Sequence, residues 1–477
     1  MIPQTQRFKE IAREQMADAY AKGFLDLFPV ALSAMRVASY SGFAPPVEAN
    51  ACSAAIRAEA VAHLPDLLEQ FEHNATQAGA RVYWAVDGRD ANDYIVRLAK
   101  ARKVTYVTKG KSMVTEETGL NEELAAAGIK AYETDLGEFI TQLLHRPPFH
   151  IVGPAINIHP KVICDIFMEK GIITEPTVNP VELGYAARCY LRDKFHHLEM
   201  GVTGVNLAVA ESGTIINVEN EGNIRLSKSS PDIQVSVMTI EKVVPTMVEA
   251  LHVLRCLCRS ATGQRLGAYV SMDTGPKKIN EVDGPSELHI VILDNGRSKI
   301  FADPEYRAAL QCIRCGACLN NCPVYRKVGG YAYGWAYSGP MGQVLTPLLL
   351  GLSCTRNLYE ACTLCRNCTD VCPGGVPHTL LLRRHRSKNR EKDKEFGGAG
   401  LSFSREASFR LFATAATNPL LWRAMTAGTR VVVNRQSRDG VIRQILGKSE
   451  GWLAARDLPS MGRPTFKEWY QKNRTER

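Results

Sequence analysis

The sequence predicts an α/β protein with a mainly parallel sheet domain, followed by a smaller helical module. Three observations predict it. Short apolar runs alternate with amphipathic runs between residues 75 and 297, the pattern of βαβ units whose parallel sheet is covered by helices. Eight of the 14 cysteines lie in two short clusters between Cys312 and Cys372. That spacing excludes a disulfide scaffold and points to a metal site in a reducing compartment. The composition is ordinary for a globular chain, with 477 residues, 45% hydrophobic and 22% charged, so a sizeable core needs no disulfides. The net charge of +9, from 58 basic and 49 acidic residues, is too dilute over this length to indicate a nucleic-acid partner.

The elements follow in order. Residues 1–74 read as a helical segment: Phe8 to Phe28 has helical spacing, and Ala54 to Phe71 puts Leu64, Leu67, Leu68 and Phe71 on one face. The N-terminus has no apolar run, which predicts no signal peptide. No stretch reaches the ~18 consecutive apolar residues of a membrane helix, and the expected location is cytoplasmic. Val82 to Val86 predicts a strand ending at the Asp87-Gly88 turn. A helix is expected from Ala91 to Lys103, a strand from Val104 to Thr108, and a helix from Asn121 to Ala127 stopped by Gly128. Further strands are expected around Ala131, at His150 to Gly153, and, continuing the same sheet, at Thr214–Val218, Ile233–Ile240, Ala268–Ser271 and Leu288–Leu293. Thr246 to Arg259 reads as a helix. The α/β domain is thus placed at 75–297 and the cysteine module at 298–382. Residues 383–400, a charged run ending in glycines, read as an exposed helix end and linker. The last part, 401–477, reads as a helical segment, Phe403 to Leu446, interrupted at Pro419 and Gly428, with a tail.

The cysteine clusters carry the chemistry. Cys312, Cys315, Cys318 and Cys322 span eleven residues followed by proline, and Cys362, Cys365, Cys368 and Cys372 repeat that spacing, again before proline. Three thiolates two residues apart can wrap one face of an iron–sulfur cube, while the fourth is carried past it to the other cube. This assigns Cys312, Cys315, Cys318 and Cys372 to one [4Fe–4S] cluster, and Cys322, Cys362, Cys365 and Cys368 to a second. Zinc is the alternative, but it favours paired cysteines making one tetrahedral set. Tyr331, Tyr333, Trp335 and Tyr337, among the 39 residues between Cys322 and Cys362, read as core covering the clusters rather than an electron path. This stretch resembles helical ferredoxin-type modules of dehydrogenase electron-transfer subunits.

Other motifs are weaker. Lys109-Gly-Lys-Ser112 follows a strand, but a phosphate loop needs glycine where Thr105 stands. The remaining option there is a helix N-terminus holding an anion, aided by Lys109 and Lys111. Gly201–Gly204 and Asn220–Asn223, with Glu211 between them, read as loops near strand ends, where α/β ligand crevices form. Cys52, Cys164, Cys189, Cys256, Cys258 and Cys354 read as buried thiols.

The set Gly110–Glu117, Glu133–Ile140, His150–Pro154, Gly201–Asn206, Asn220–Asn223, Glu241–Pro245, Ser260–Gln264 and Gly284–His289, followed by both clusters, resembles the lactate utilization protein B family. The resemblance implies a lactate-utilization domain, similar to sugar-isomerase and CoA-transferase folds, fused to a dicluster ferredoxin module. It also implies an electron carrier in a multi-subunit system oxidising L-lactate to pyruvate. The implied partners are a cysteine-rich subunit, a small subunit bearing only the lactate-utilization domain, and a downstream electron acceptor. All eight cluster cysteines of the family pattern are present, and no catalytic residue is transferred. Fold analogy gives a different reading, in which the α/β domain acts on a sugar phosphate, folate or CoA ester.

Overall fold

The computed structural model describes residues 3–43, 46–445, 453, 456–462 and 464–474, in two units, 1–400 and 401–477. The first is organised around a wholly parallel sheet of six strands: β1 (Arg81–Ala85), β2 (Tyr106–Lys109), β3 (Lys130–Glu133), β4 (Met200–Gly204), β7 (Ile233–Thr239) and β10 (Glu287–Leu293). Their spatial order is β1-β10-β7-β4-β2-β3. A parallel strand covered on both sides reads as a nearly unbroken apolar run, and β7, Ile-Gln-Val-Ser-Val-Met-Thr, is buried at every position. Ile95, Ala99, Leu120 and Leu124 cover one face over Val107, Val202, Val235 and Val291. Leu68, Phe71, Val253 and Leu254 cover the other, with Ile290 and Ile292.

A second sheet was not anticipated. β5 (Leu207–Val209), β6 (Thr214–Glu219), β8 (Val243–Val244) and β9 (Tyr269–Asp273) form it in the order β8-β5-β6-β9. Thr214–Val218 and Ala268–Ser271 are strands as expected, but they belong here. β6 pairs antiparallel with both β5 and β9, and none of these strands bonds to the parallel sheet.

Two further readings are corrected. Gly201–Gly204 is not a loop but the buried strand β4. Glycine is needed there by close approach: a Cβ on Gly201 would lie 1.8 Å from the Ser227 carbonyl oxygen. His150–Gly153 is not a strand. The buried His150 ring accepts from Val152 N through Nδ1 and meets Asn320 Oδ1 through Nε2 at 3.1 Å, so local side-chain bonds replace a ladder. Asp87 does more than turn the chain, since its carboxylate caps the helix Gly88–Ala101.

The N-terminal segment forms helices Phe8–Ala17, Ala19–Tyr40, Pro46–Ala62 and Leu64–Gln77. Phe8, Ala12 and Leu25 join the core of the cysteine module with Tyr325, Tyr333 and Leu345. Residues 383–390 continue the helix His378–Arg390 rather than leaving it as a linker. His385 is fully buried there, its Nε2 at 2.9 Å from the Val344 carbonyl.

The second unit contains helices Phe403–Thr417 and Pro419–Asn434. The break comes at Asn418, whose side chain caps the second helix. Gly428 does not interrupt it, and the expected end at Leu446 lies outside the described residues. The tail includes a helix Phe466–Asn473 with a Thr465–Glu468 capping box. Among the described residues, no helix is long and apolar enough to cross a membrane.

Candidate metal centres and the adjoining crevice

The duplicated cysteine spacing is matched by a duplicated backbone. The residue two after each leading cysteine, Arg314 or Leu364, is left-handed (φ 60° and 57°), as is the residue two further on, Gly316 or Arg366 (φ 78° and 73°). Short helices Ala317–Asn320 and Asn367–Asp370 follow. Such turns point successive N–H groups inward. Arg314 N lies 3.4 Å from Cys312 Sγ and Leu364 N 3.3 Å from Cys362 Sγ, each donating to the thiol two residues back.

Cys312, Cys315, Cys318 and Cys372 line one cavity. Cys322 does not line that cavity: burial pushes its thiol up to about 11, and Cys362 and Cys365 of the other loop push it the same way. Cys368 is raised to about 12 by burial and by Cys322, Cys362 and Cys365. Burial likewise raises Cys315 to about 12 and Cys372 to about 11. Without metal these four thiols, Cys315, Cys322, Cys368 and Cys372, stay protonated at neutral pH, so binding a metal there must release their protons.

The surroundings suit iron–sulfur cubes. Among the described residues, neither ring nitrogen of buried His378, which lines the first cavity, has a hydrogen-bond partner of good geometry. The buried Tyr333 hydroxyl is likewise unpartnered; burial raises it most, with Cys322 and Cys362 adding to the rise. Each is a donor able to meet cluster sulfur. Among the described residues, no three His, Cys, Asp or Glu side chains converge on a single-ion site. Thiols spread around a space match a cube that takes one thiolate on each of its four irons, whereas zinc draws its donors to one point.

A chain of buried charges joins the first cysteine loop to the α/β domain. Arg297 makes a two-pronged bond to Glu117, with Nη1 and Nη2 at 2.8 and 2.6 Å from its two oxygens, and the Tyr337 hydroxyl also donates to Glu117. Arg297 Nε lies 3.1 Å from Glu241, whose other oxygen accepts from Arg314 at 2.9 Å. Burial alone would raise the Glu241 carboxyl, but Arg297 and then Arg314 outweigh it and hold it at about 2. Arg57, also buried, donates to the Glu241, Val243 and Leu310 carbonyls. Glu117 and Glu241 stand in two of the motifs that carry the family resemblance, but the resemblance gives neither a role, and sequence patterns do not single out Arg297 or Arg57.

The remaining candidate residues fall into place. Trp335 and Tyr337 are buried with Tyr333, and Tyr331 packs against that core. Lys109 is fully buried between Glu116 and Glu133, 2.7 Å from each, so it is spent on structure and not on an anion. Glu211 accepts from Met247 N at a helix start. Cys164, Cys256 and Cys258 are buried as expected, but Cys52 and Cys189 are exposed and Cys354 is partly so. A crevice of about 270 Å³ lies beyond the ends of β2, β4 and β7, lined by Lys111, Asn206, Lys242, Arg314 and Cys315 among others.

Comparison with known proteins defines the class first. Residues 68–293 match the LUD domain, 308–376 the 4Fe-4S dicluster domain, and 381–475 the C-terminal region of lactate utilisation protein B. The chain is 41% identical to lactate utilization protein B of Shouchella clausii over 88% of this chain and 87% of that protein. It is 38% identical to the Bacillus licheniformis protein of the same name over 99% and 98%. It is 40% identical to the uncharacterized electron transport protein YkgF of Escherichia coli over 89% and 88%. The chain belongs to the lactate utilization protein B family, and it is an iron–sulfur protein.

Proposed function

We propose that this chain is the electron-carrying subunit of an assembly that oxidises L-lactate to pyruvate. In this reading Cys312, Cys315, Cys318 and Cys372 hold one [4Fe–4S] cluster, and Cys322, Cys362, Cys365 and Cys368 hold the other. The observation that supports it most is that Cys372 lines one cavity with Cys312, Cys315 and Cys318, while the thiols acting on Cys322 are Cys362 and Cys365. Clusters of this type supply one-electron transfer. The protein positions the thiols on paired left-handed turns, directs backbone N–H groups at Cys312 and Cys362, and offers His378 and Tyr333 as further donors. The chain has no Gly-x-Gly-x-x-Gly dinucleotide fingerprint, which supports a carrier rather than a self-sufficient dehydrogenase. The partners in this reading are the cysteine-rich and small lactate-utilization subunits, with a downstream acceptor, in the cytoplasm.

An anaerobic preparation tests the reading. About eight irons and eight sulfides per chain, with two interacting paramagnetic centres after reduction, are expected from two cubes. Lactate should reduce them only when the partner subunits are present. Stoichiometric zinc in place of iron, or brisk lactate oxidation by the chain alone, would overturn it.

A further inference from the structure

The central sheet reverses its winding between β2 and β4. From β2 the chain moves outward to β3, then returns to β4 and runs on through β7 and β10 in the opposite direction. Loops leaving the two strands at such a point diverge, and α/β proteins bind ligands in the gap beyond the strand ends. The 270 Å³ crevice lies there, with Lys111 and Ser112 following β2, and Val205 and Asn206 following β4. It sits just below the roughly 300–1,000 Å³ of drug-sized sites, a size for a small metabolite.

The charges lining it are mostly engaged. Lys111 pairs with Asp135 at 3.6 Å, and Arg314 with Glu241. Glu219 accepts from the backbone of Ile224 and Arg225, and Glu221 from that of Leu136. Lys242 is the exception. It has no hydrogen bond or ion pair within 4 Å to another described residue; Arg314 and Arg57 add positive charge near it, and Glu241 adds negative charge. Asn206 accepts from Val218 N through its carboxamide oxygen, and its amide N–H₂ has no partner among the described residues. The apolar side of the crevice includes Val114, Ile151 and Leu257.

We propose that this crevice binds a small organic acid as its carboxylate monoanion, with Lys242 as counter-charge and Asn206 as a neutral donor. A cation without an ion-pair partner beside an apolar wall suits one carboxylate on a short carbon skeleton. A phosphate dianion would call for a glycine-rich cradle of N–H groups, which the loop after β2 lacks. The site deepens the function proposed above and rests on it in one respect. Met113, Ile151, Arg314, Cys315 and Tyr337 line both this crevice and the cavity of the first four cysteines, so the bound acid lies one side chain away from the first cluster.

Calorimetric titration of the cluster-loaded chain, prepared anaerobically, tests the proposal with L-lactate, pyruvate and acetate, and with neutral lactamide as the control. Saturable binding of at least one acid is expected, with lactamide weaker by about ten-fold or more. K242A should weaken the acid by about ten-fold or more, while K242R stays within about three-fold. N206D, which keeps the oxygen bonded to Val218 N but adds negative charge, should also weaken it and guards against a folding defect in K242A. Absence of binding by all three acids, equal binding of lactamide, or wild-type affinity in both K242A and N206D would overturn it. Iron content measured on the same sample tells the two failures apart, because a chain without iron defeats the electron-carrier reading whatever it binds.

Discussion

Glu241 accepts from Arg314 at 2.9 Å, which ties the end of β7 to the first cysteine loop two residues past Cys312. The same carboxylate faces Arg297, so one side chain neutralises two buried guanidinium groups. Removing one member of a buried ion pair strands the others without water, at a cost of about 3–5 kcal/mol. E241Q is therefore expected to lose about that much stability in denaturant titration, and to lose iron from the first site before the second.

The same pair sets an acid limit. Glu241 is held at about 2 and Glu117 is also held below its usual 4.5, each despite burial and because Arg297 outweighs it. Carboxyls depressed in the folded state stabilise above their unfolded value and lose that contribution as protons bind on the way down. Stability of the metal-free chain is expected to change little on their account between pH 7 and pH 5, then to fall from about 4.5 toward about 2. Denaturant midpoints measured against pH check this, and E241Q should show a shallower acid slope.

The proposed exchange of the fourth cysteines predicts a crossed mutational pattern. C372S is expected to disturb the site of Cys312, Cys315 and Cys318 and spare the site of Cys362, Cys365 and Cys368. C322S should do the reverse. Each variant should retain about half the iron and the resonance of the spared centre. A pattern following sequence order instead, with C322S damaging the first site, would refute the crossing.

Gly201 has no room for a methyl group, since its Cβ would stand 1.8 Å from Ser227 O. G201A is expected to destabilise by about 3 kcal/mol or more, because backbone and not a flexible side chain must move. Reduced thermal stability and low soluble yield are the measurements.

Gly428 offers the opposite case. It lies within the helix Pro419–Asn434, with nothing near its would-be Cβ. Alanine favours a helix over glycine by about 1 kcal/mol. G428A is expected to stabilise the second unit, read as increased helicity and a higher melting temperature.

The legible parts of the sequence were those governed by period and spacing. β7 and β10 announced themselves as apolar runs, and the cysteine triplets by their repeat. β4 was hidden because Gly201 and Gly204 dilute its apolar signal, although close packing against Ser227 and Ser112 is what demands glycine. The second sheet was missed because β5 and β8 have only three and two residues, and because pairing partners are not written in local composition. The Glu117–Arg297–Glu241–Arg314 chain spans almost 200 positions, and no local pattern joins residues so far apart. Lys242 was visible as part of Glu241–Pro245, but its lack of a partner is a property of the folded chain alone.

The eight cysteines do not share one degree of shelter. Cys315, Cys318, Cys322 and Cys368 are buried and three are partly covered, while Cys365 stands in solvent. A thiolate at the surface is the first to meet an oxidant or an alkylating reagent. In the proposed role, whatever passes charge to a neighbouring molecule must come near the surface, so the doorway would also be the weakest point toward air, and rust should begin at Cys365.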